Sequence, residues 1–105
     1  MEYFLIGRFQ LENLSQNQLA FHLLWLEDFP HDEPLLAGAT QLNETRFAGW
    51  LDQEKPELNF PIVLACACGE VAPRIAEQLM ARGYLNVFVI DQGLRGLKAE
   101  LGIET

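Results

Sequence analysis

Cys66 and Cys68 are the two thiols of the chain, and the stretch from Pro61 to Gly83 puts them where thiol chemistry can be assisted. Ile62 to Ala65 is a short apolar run with β-branched residues, bounded by Pro61 and a small-residue turn. That pattern predicts a strand buried on both faces. Beyond the turn, Pro73 suits the first turn of a helix, where a missing N–H costs nothing. Ile75, Ala76, Leu79 and Met80 then recur at helical spacing, and Gly83 supplies the stop. A strand, a loop holding both cysteines and a helix are therefore expected in succession. In open α/β sheets ligands bind off the carboxyl ends of strands. A thiol at such a place meets loop N–H groups and the positive end of a helix, which stabilise both a thiolate and an anionic ligand. The i, i+2 spacing supplies too few ligands for a metal site, and His22 and His31 are not grouped with it in sequence. Neither a metal nor another cofactor is expected.

The elements around this stretch read as follows. Tyr3 to Ile6 fits a short first strand. The run from Phe9 to Leu26 admits two readings. In one, Ser15 followed by Gln18 is a capping box opening a helix through Leu23 and Leu26. In the other, Gln10 to Leu14 is a short helix, Gln16-Asn17 a turn, and Phe21 to Leu26 a buried central strand, which suits its density of Leu, Phe and Trp. Asp28 to Pro34 is acidic and holds two prolines, so it is a loop. A brief strand is expected over Ala39 to Gln41. Asn43 can cap a helix with Glu44 in its first turn. Phe47, Trp50 and Leu51 form one apolar face of that helix, with Trp50 as core. Lys55 to Asn59 is a polar linker. Asn86 to Ile90 has the clearest strand propensity. Asp91-Gln92-Gly93 is a turn, and Leu94, Leu97 and Leu101 mark a last helix, interrupted by Gly96 and ended by Gly102. Strands alternating with helices predict an α/β domain with a central, mostly parallel sheet of about five strands flanked by helices on both faces.

With 105 residues the chain is expected to be one domain spanning 1–105, and with 50% hydrophobic residues it is expected to be globular. Seven basic against 15 acidic residues give a net charge of -8. Nucleic-acid binding is not expected, because phosphate contacts need clustered Lys and Arg. The start, Met-Glu-Tyr-Phe-Leu-Ile-Gly-Arg, has no basic region before its apolar run and is too short for a signal peptide or a membrane span. A cytoplasmic protein with no membrane partner is expected, its cysteines reduced rather than paired as a staple.

From Pro61 onward the chain resembles the rhodanese-like family. The resemblance rests on Ile-Val-Leu-Ala-Cys at 62–66, Gly69 in the loop, the Ala-rich helix, Gly83-Tyr84-Leu85-Asn86-Val87, and Asp91-Gln92-Gly93 before a short last helix. Leu36 to Trp50 is similar to the strand and helix that precede this region in the family. The resemblance implies a rhodanese-like fold over roughly the last two thirds of the chain. It also implies that Cys66, directly after the strand, is the nucleophile of a sulfurtransferase or persulfide carrier. Such a thiolate takes a sulfane sulfur from a donor and passes it to a thiol acceptor. The anion-binding loop would be Ala67, Cys68, Gly69, Glu70, Val71 and Ala72.

The loop departs from the family at charged positions. Family members efficient with thiosulfate usually carry Arg directly after the cysteine and Arg, Lys or Thr at the end of the loop; here Ala67 and Val71 stand there. Glu70 adds an anion, which opposes negative charge on the sulfur and on an incoming donor. The family's Asp-x-Arg after the second strand is replaced by Leu24-Trp25-Leu26-Glu27. Efficient use of thiosulfate is therefore not expected, while a persulfide carrier relying only on backbone N–H groups stays open. The alternative is a catalytically inactive rhodanese-like module that binds a protein partner. Cys68 has two roles open to it: a resolving thiol that forms a disulfide with Cys66, strained at this spacing, or a small residue filling a tight loop. A further pattern, Cys68 with Arg74 six positions on, is similar to the Cys-x5-Arg loop of dual-specificity phosphatases. Adopting it places Pro73 inside the anion loop and breaks the alignment of Gly69 and Gly83.

Overall fold

The middle strand of the sheet in the computed structural model is the one most plainly marked in the sequence, Ile62–Ala65, labelled β4. The structure describes residues 3–17, 20–67, 69–91 and 93–99, the last three of them by backbone alone. In chain order the other elements are β1 (Phe4–Ile6), α1 (Arg8–Gln16), β2 (His22–Trp25), a 3-10 turn (Pro34–Leu36), β3 (Thr40–Gln41), α2 (Glu44–Glu54), α3 (Val71–Ala81), β5 (Val87–Ile90) and α4 (Gly93–Ala99). The strands lie in the order β1-β5-β4-β2-β3, and every pairing is parallel.

All four residues of β4 are fully buried, as a strand covered on both faces requires. Alternate residues feed two cores. Ile62 and Leu64 face Phe47 and Leu51 of α2 and Ile75, Ala76 and Leu79 of α3. Val63 and Ala65 face Leu11 of α1, Leu36 of the 3-10 turn and Leu94 of α4. Helices thus cover both faces of the expected α/β sheet.

Each helix end follows from local chemistry. The Gln10 side chain accepts from the Gly7 N–H at 2.9 Å, which starts α1 at Arg8. Ser15 is inside that helix near its end, so it does not open one. The reading with a short helix before Phe21 is the one observed, with a helix that begins earlier than Gln10. Asn43 caps α2 through a 2.9 Å bond from the Arg46 N–H. α3 ends in a Schellman motif: Gly83, at φ +98°, donates to the Met80 carbonyl, and Tyr84 donates to the Leu79 carbonyl. Trp50 is half-buried at the margin of the α2 core, edge-on to His22, rather than fully inside. The last helix starts at Gly93 and runs through Gly96 without the expected interruption. Leu101 and Gly102, expected in and after that helix, lie outside the described residues.

Candidate functional site

The chain leaves β4 toward β5 on one side and leaves β2 toward β3 on the other. After β4 it enters α3, which packs on one face; after β2 it enters the 3-10 turn, which packs on the opposite face. The crevice between the carboxyl ends of β2 and β4 is therefore the topological switch point, where ligands settle in open α/β sheets. Two segments meet there: Leu26 to Asp28, leaving β2, and Cys66 to Glu70, leaving β4.

Cys66 is the first residue past β4 and is fully buried, within the core formed by α2, α3 and the sheet. Its thiol is free. The loop curls back so that the N–H of Ala72, in the first turn of α3, points at Cys66 Sγ over 3.4 Å. A bond of this kind places the partial positive charge of a helix start on the sulfur. Gly69 turns the loop with φ +81°. Glu70 is exposed and occupies the cap position of α3, and Val71 already belongs to that helix. The expected six-residue cradle is thus shorter, with its far end made of helix. Cys68 lies outside the described residues, and so do both roles left open for it, resolving thiol and loop filler.

The near end of the loop is bonded differently. The Ala67 N–H donates to Glu27 Oε2 at 2.8 Å. An amide expected to serve an incoming anion is held by the protein's own carboxylate. From below, α4 braces the same segment: Leu94 N–H donates to the Cys66 carbonyl at 2.8 Å and Arg95 N–H to the Ala67 carbonyl at 3.4 Å. Gly93 permits that approach, since a Cβ there would lie 2.2 Å from the Cys66 carbonyl oxygen.

Beside the crevice is a cavity of about 250 Å³ between Leu26–Asp28, Asn43–Thr45 and Val71. Its charged groups are carboxylates. Asp28 accepts from the Asn43 side chain at 2.6 Å. Glu44 receives two bonds from Arg74, at 3.0 and 3.1 Å. The hydrogen bond from Arg74 holds the Glu44 carboxyl below the usual carboxylate range. Reciprocally, that bond, then the charge of Glu44, and less strongly Glu70 and Cys66, keep the Arg74 guanidinium protonated beyond its usual range. Arg74 is exposed, and its donors go to Glu44 and to the Glu70 carbonyl. No group of three or more His, Cys, Asp or Glu among the described residues could hold a metal ion.

The site residues read from the sequence, Cys66 through Ala72, are brought together as far as they are described. Three others were not read from it. Glu27 stood out only as a replacement for a family residue; its reach across to Ala67 depends on β2 lying beside β4. Gly93 reads locally as a turn, and its contact with the Cys66 loop leaves no local mark. Glu44 reads as a first-turn acid, and its capture of Arg74 comes from α2 and α3 starting side by side. No family model matches the chain, and no curated protein matches it.

Proposed function

We propose that this chain is a rhodanese-like sulfur carrier in the cytoplasm, with Cys66 as the persulfide-forming thiol and free thiosulfate a poor donor. The observation that supports this most is the N–H of Ala72 aimed at Cys66 Sγ from the start of α3, at the switch point of a parallel sheet. A thiolate there would attack the outer sulfur of a sulfane donor. A new S–S bond forms on Cys66, the donor's S–S bond breaks, and the electron pair leaves with the departing thiolate or sulfite. An acceptor thiolate then takes the outer sulfur and returns the Cys66 thiolate. The Ala72 N–H at the start of α3 stabilises the charge.

The test is intact mass after incubation with persulfide and polysulfide donors. A gain of one sulfur, absent in Cys66→Ser and retained in Cys68→Ser, is expected, with circular dichroism confirming that both variants are folded. A gain that survives in Cys66→Ser overturns the assignment of the thiol. A second reading, an inactive module that binds a protein partner, draws support from two observations: Cys66 has no exposed surface, and Glu27 already occupies the Ala67 N–H. Failure of every donor to add sulfur favours that module.

A further inference from the structure

We propose that Glu27 is a built-in anion that sets the charge selectivity of the Cys66 loop, turning away small anionic sulfur donors and leaving the site to uncharged or cation-bearing ones. The proposal rests on the carrier reading above and names its substrate class.

Glu27 holds its place through the sheet. Trp25 pairs with Ala65 in the parallel β2–β4 ladder, and Leu26 N–H continues it by donating to the Ala65 carbonyl at 2.8 Å. Glu27 and Ala67 therefore leave their strands side by side. The carboxylate needs only to span one interstrand gap to accept the Ala67 N–H at 2.8 Å. That amide belongs to the peptide bond that follows Cys66, so the negative charge stands beside the residue that would carry the sulfur. A carboxylate accepting a backbone N–H here does what the oxygen of a bound thiosulfate would do, and excludes it twice. It takes the donor amide, and it repels the second negative charge in a partly buried setting where screening is weak. Of the neighbouring carboxylates, Glu44 is offset by the Arg74 guanidinium, while Asp28, bonded to the neutral Asn43 amide, and the exposed Glu70 keep their charge and add to the repulsion without occupying the Ala67 amide. A donor whose sulfur is carried on a neutral or basic segment meets no such repulsion, and the acidic rim of the adjacent cavity attracts a basic one.

Glu27→Gln keeps the shape and an oxygen for the Ala67 N–H while removing the charge; Glu27→Ala removes both. In a Cys68→Ser background, where Cys66 is the remaining thiol, alkylation is measured with the anion iodoacetate and the neutral iodoacetamide. The ratio of the two rates should rise about tenfold in Glu27→Gln, the order expected from removing one like charge at this range. An unchanged ratio overturns the proposal. Because a buried thiol can be slow toward both reagents, the Ala67 amide is also followed by NMR during a thiosulfate titration. A saturable shift in Glu27→Ala and none in the parent is expected; the same response in both overturns the proposal. The two readings fail separately. Should both Glu27 effects appear while no donor of any class leaves sulfur on Cys66, the carrier reading falls and the anion stands. Should the parent load sulfur from thiosulfate as readily as Glu27→Gln, the anion falls and the carrier stands.

Discussion

Gly93 shows how much of the site depends on one missing Cβ. Its φ of +62° lies in the left-handed region, and a Cβ would sit 2.2 Å from the Cys66 carbonyl oxygen and 2.8 Å from the Gly69 nitrogen. Both obstacles are backbone, so neither can swing aside. Gly38 provides the comparison: φ is +85°, with nothing within 4 Å of its Cβ position. Gly38→Ala should cost only the left-handed backbone, about 1–2 kcal/mol. Gly93→Ala adds a clash that must push α4 off the Cys66 loop, and a loss of at least about 3 kcal/mol is expected. Urea denaturation of the two variants checks this, and equal losses would mean that the α4 contact yields freely. A smaller effect belongs to the sulfur. Cys66→Ala leaves the Ala72 N–H without the acceptor it has now, at a cost of about 1–3 kcal/mol for a buried donor. Cys66→Ser keeps an acceptor and should lose less, which makes it the cleaner variant for sulfur-loading experiments.

Among the elements, two of the ion pairs that join segments distant in sequence differ in how much water surrounds them. Glu33, 3% exposed, sits in the connection from β2 to β3. One oxygen accepts from Arg8 at 3.0 Å and the other from the Leu35 N–H at 3.1 Å. It therefore caps the 3-10 turn and fastens it to the start of α1. Glu33→Ala should destabilise by about 3 kcal/mol, the low end for breaking a buried pair, since Arg8 also reaches Glu12 at 3.6 Å. Glu33→Gln, which keeps the cap, should lose less, and equal losses would locate the whole effect in the charge. The second tie, Arg74 with Glu44, joins the starts of α2 and α3 in the open. Its carboxyl has a lowered pKa in the folded chain, so the stability it contributes is present above the ordinary value of 4.5 and is lost as pH falls through the lowered one. In Arg74→Gln the Glu44 carboxyl should titrate back in the ordinary range by NMR, with little change in stability at neutral pH. A Glu44 midpoint that does not move would show that Arg74 is not its partner in solution. Neither tie could be read along the chain. Asp28 to Pro34 looks like a solvated acidic loop, and nothing in its composition distinguishes Glu33, which is buried, from Asp28, which is exposed.

For the whole molecule, the layered sheet was legible because its signals are local. A run such as Ile62 to Ala65 marks a doubly covered strand, Ile75, Ala76 and Leu79 mark one helix face, and Gly83 marks a stop; all are satisfied within a few residues. The site was legible only along β4 and α3. What closes it, Glu27 from β2 and Gly93 from α4, arrives through strand order, and strand order is not written in any short stretch. Charge is the other property of the whole. The chain carries 15 acidic groups against 7 basic ones. Ion pairs facing water include Arg74 with Glu44 at 3.0 Å and Arg82 with Asp52 at 3.9 Å. Salt screens attraction and repulsion alike. Exposed pairs contribute little, whereas a surplus of like charge works against the compact state everywhere at once. Repulsion should therefore dominate the response. Raising NaCl from about 0.02 to about 0.5 M, which shortens the screening length several-fold, should stabilise the fold by about 1 kcal/mol, or roughly 4–8 °C in Tm for a domain near this size. Sodium chloride is the right salt, because sulfate would add its own strengthening of apolar burial. Exchanging two exposed acids away from the site, Glu57 and Glu77, for Lys should raise Tm in low salt and have little effect in high salt. A melting temperature that falls as NaCl is added would mean that the ion pairs outweigh the acidic surplus, and the like-charge account of this surface would be wrong.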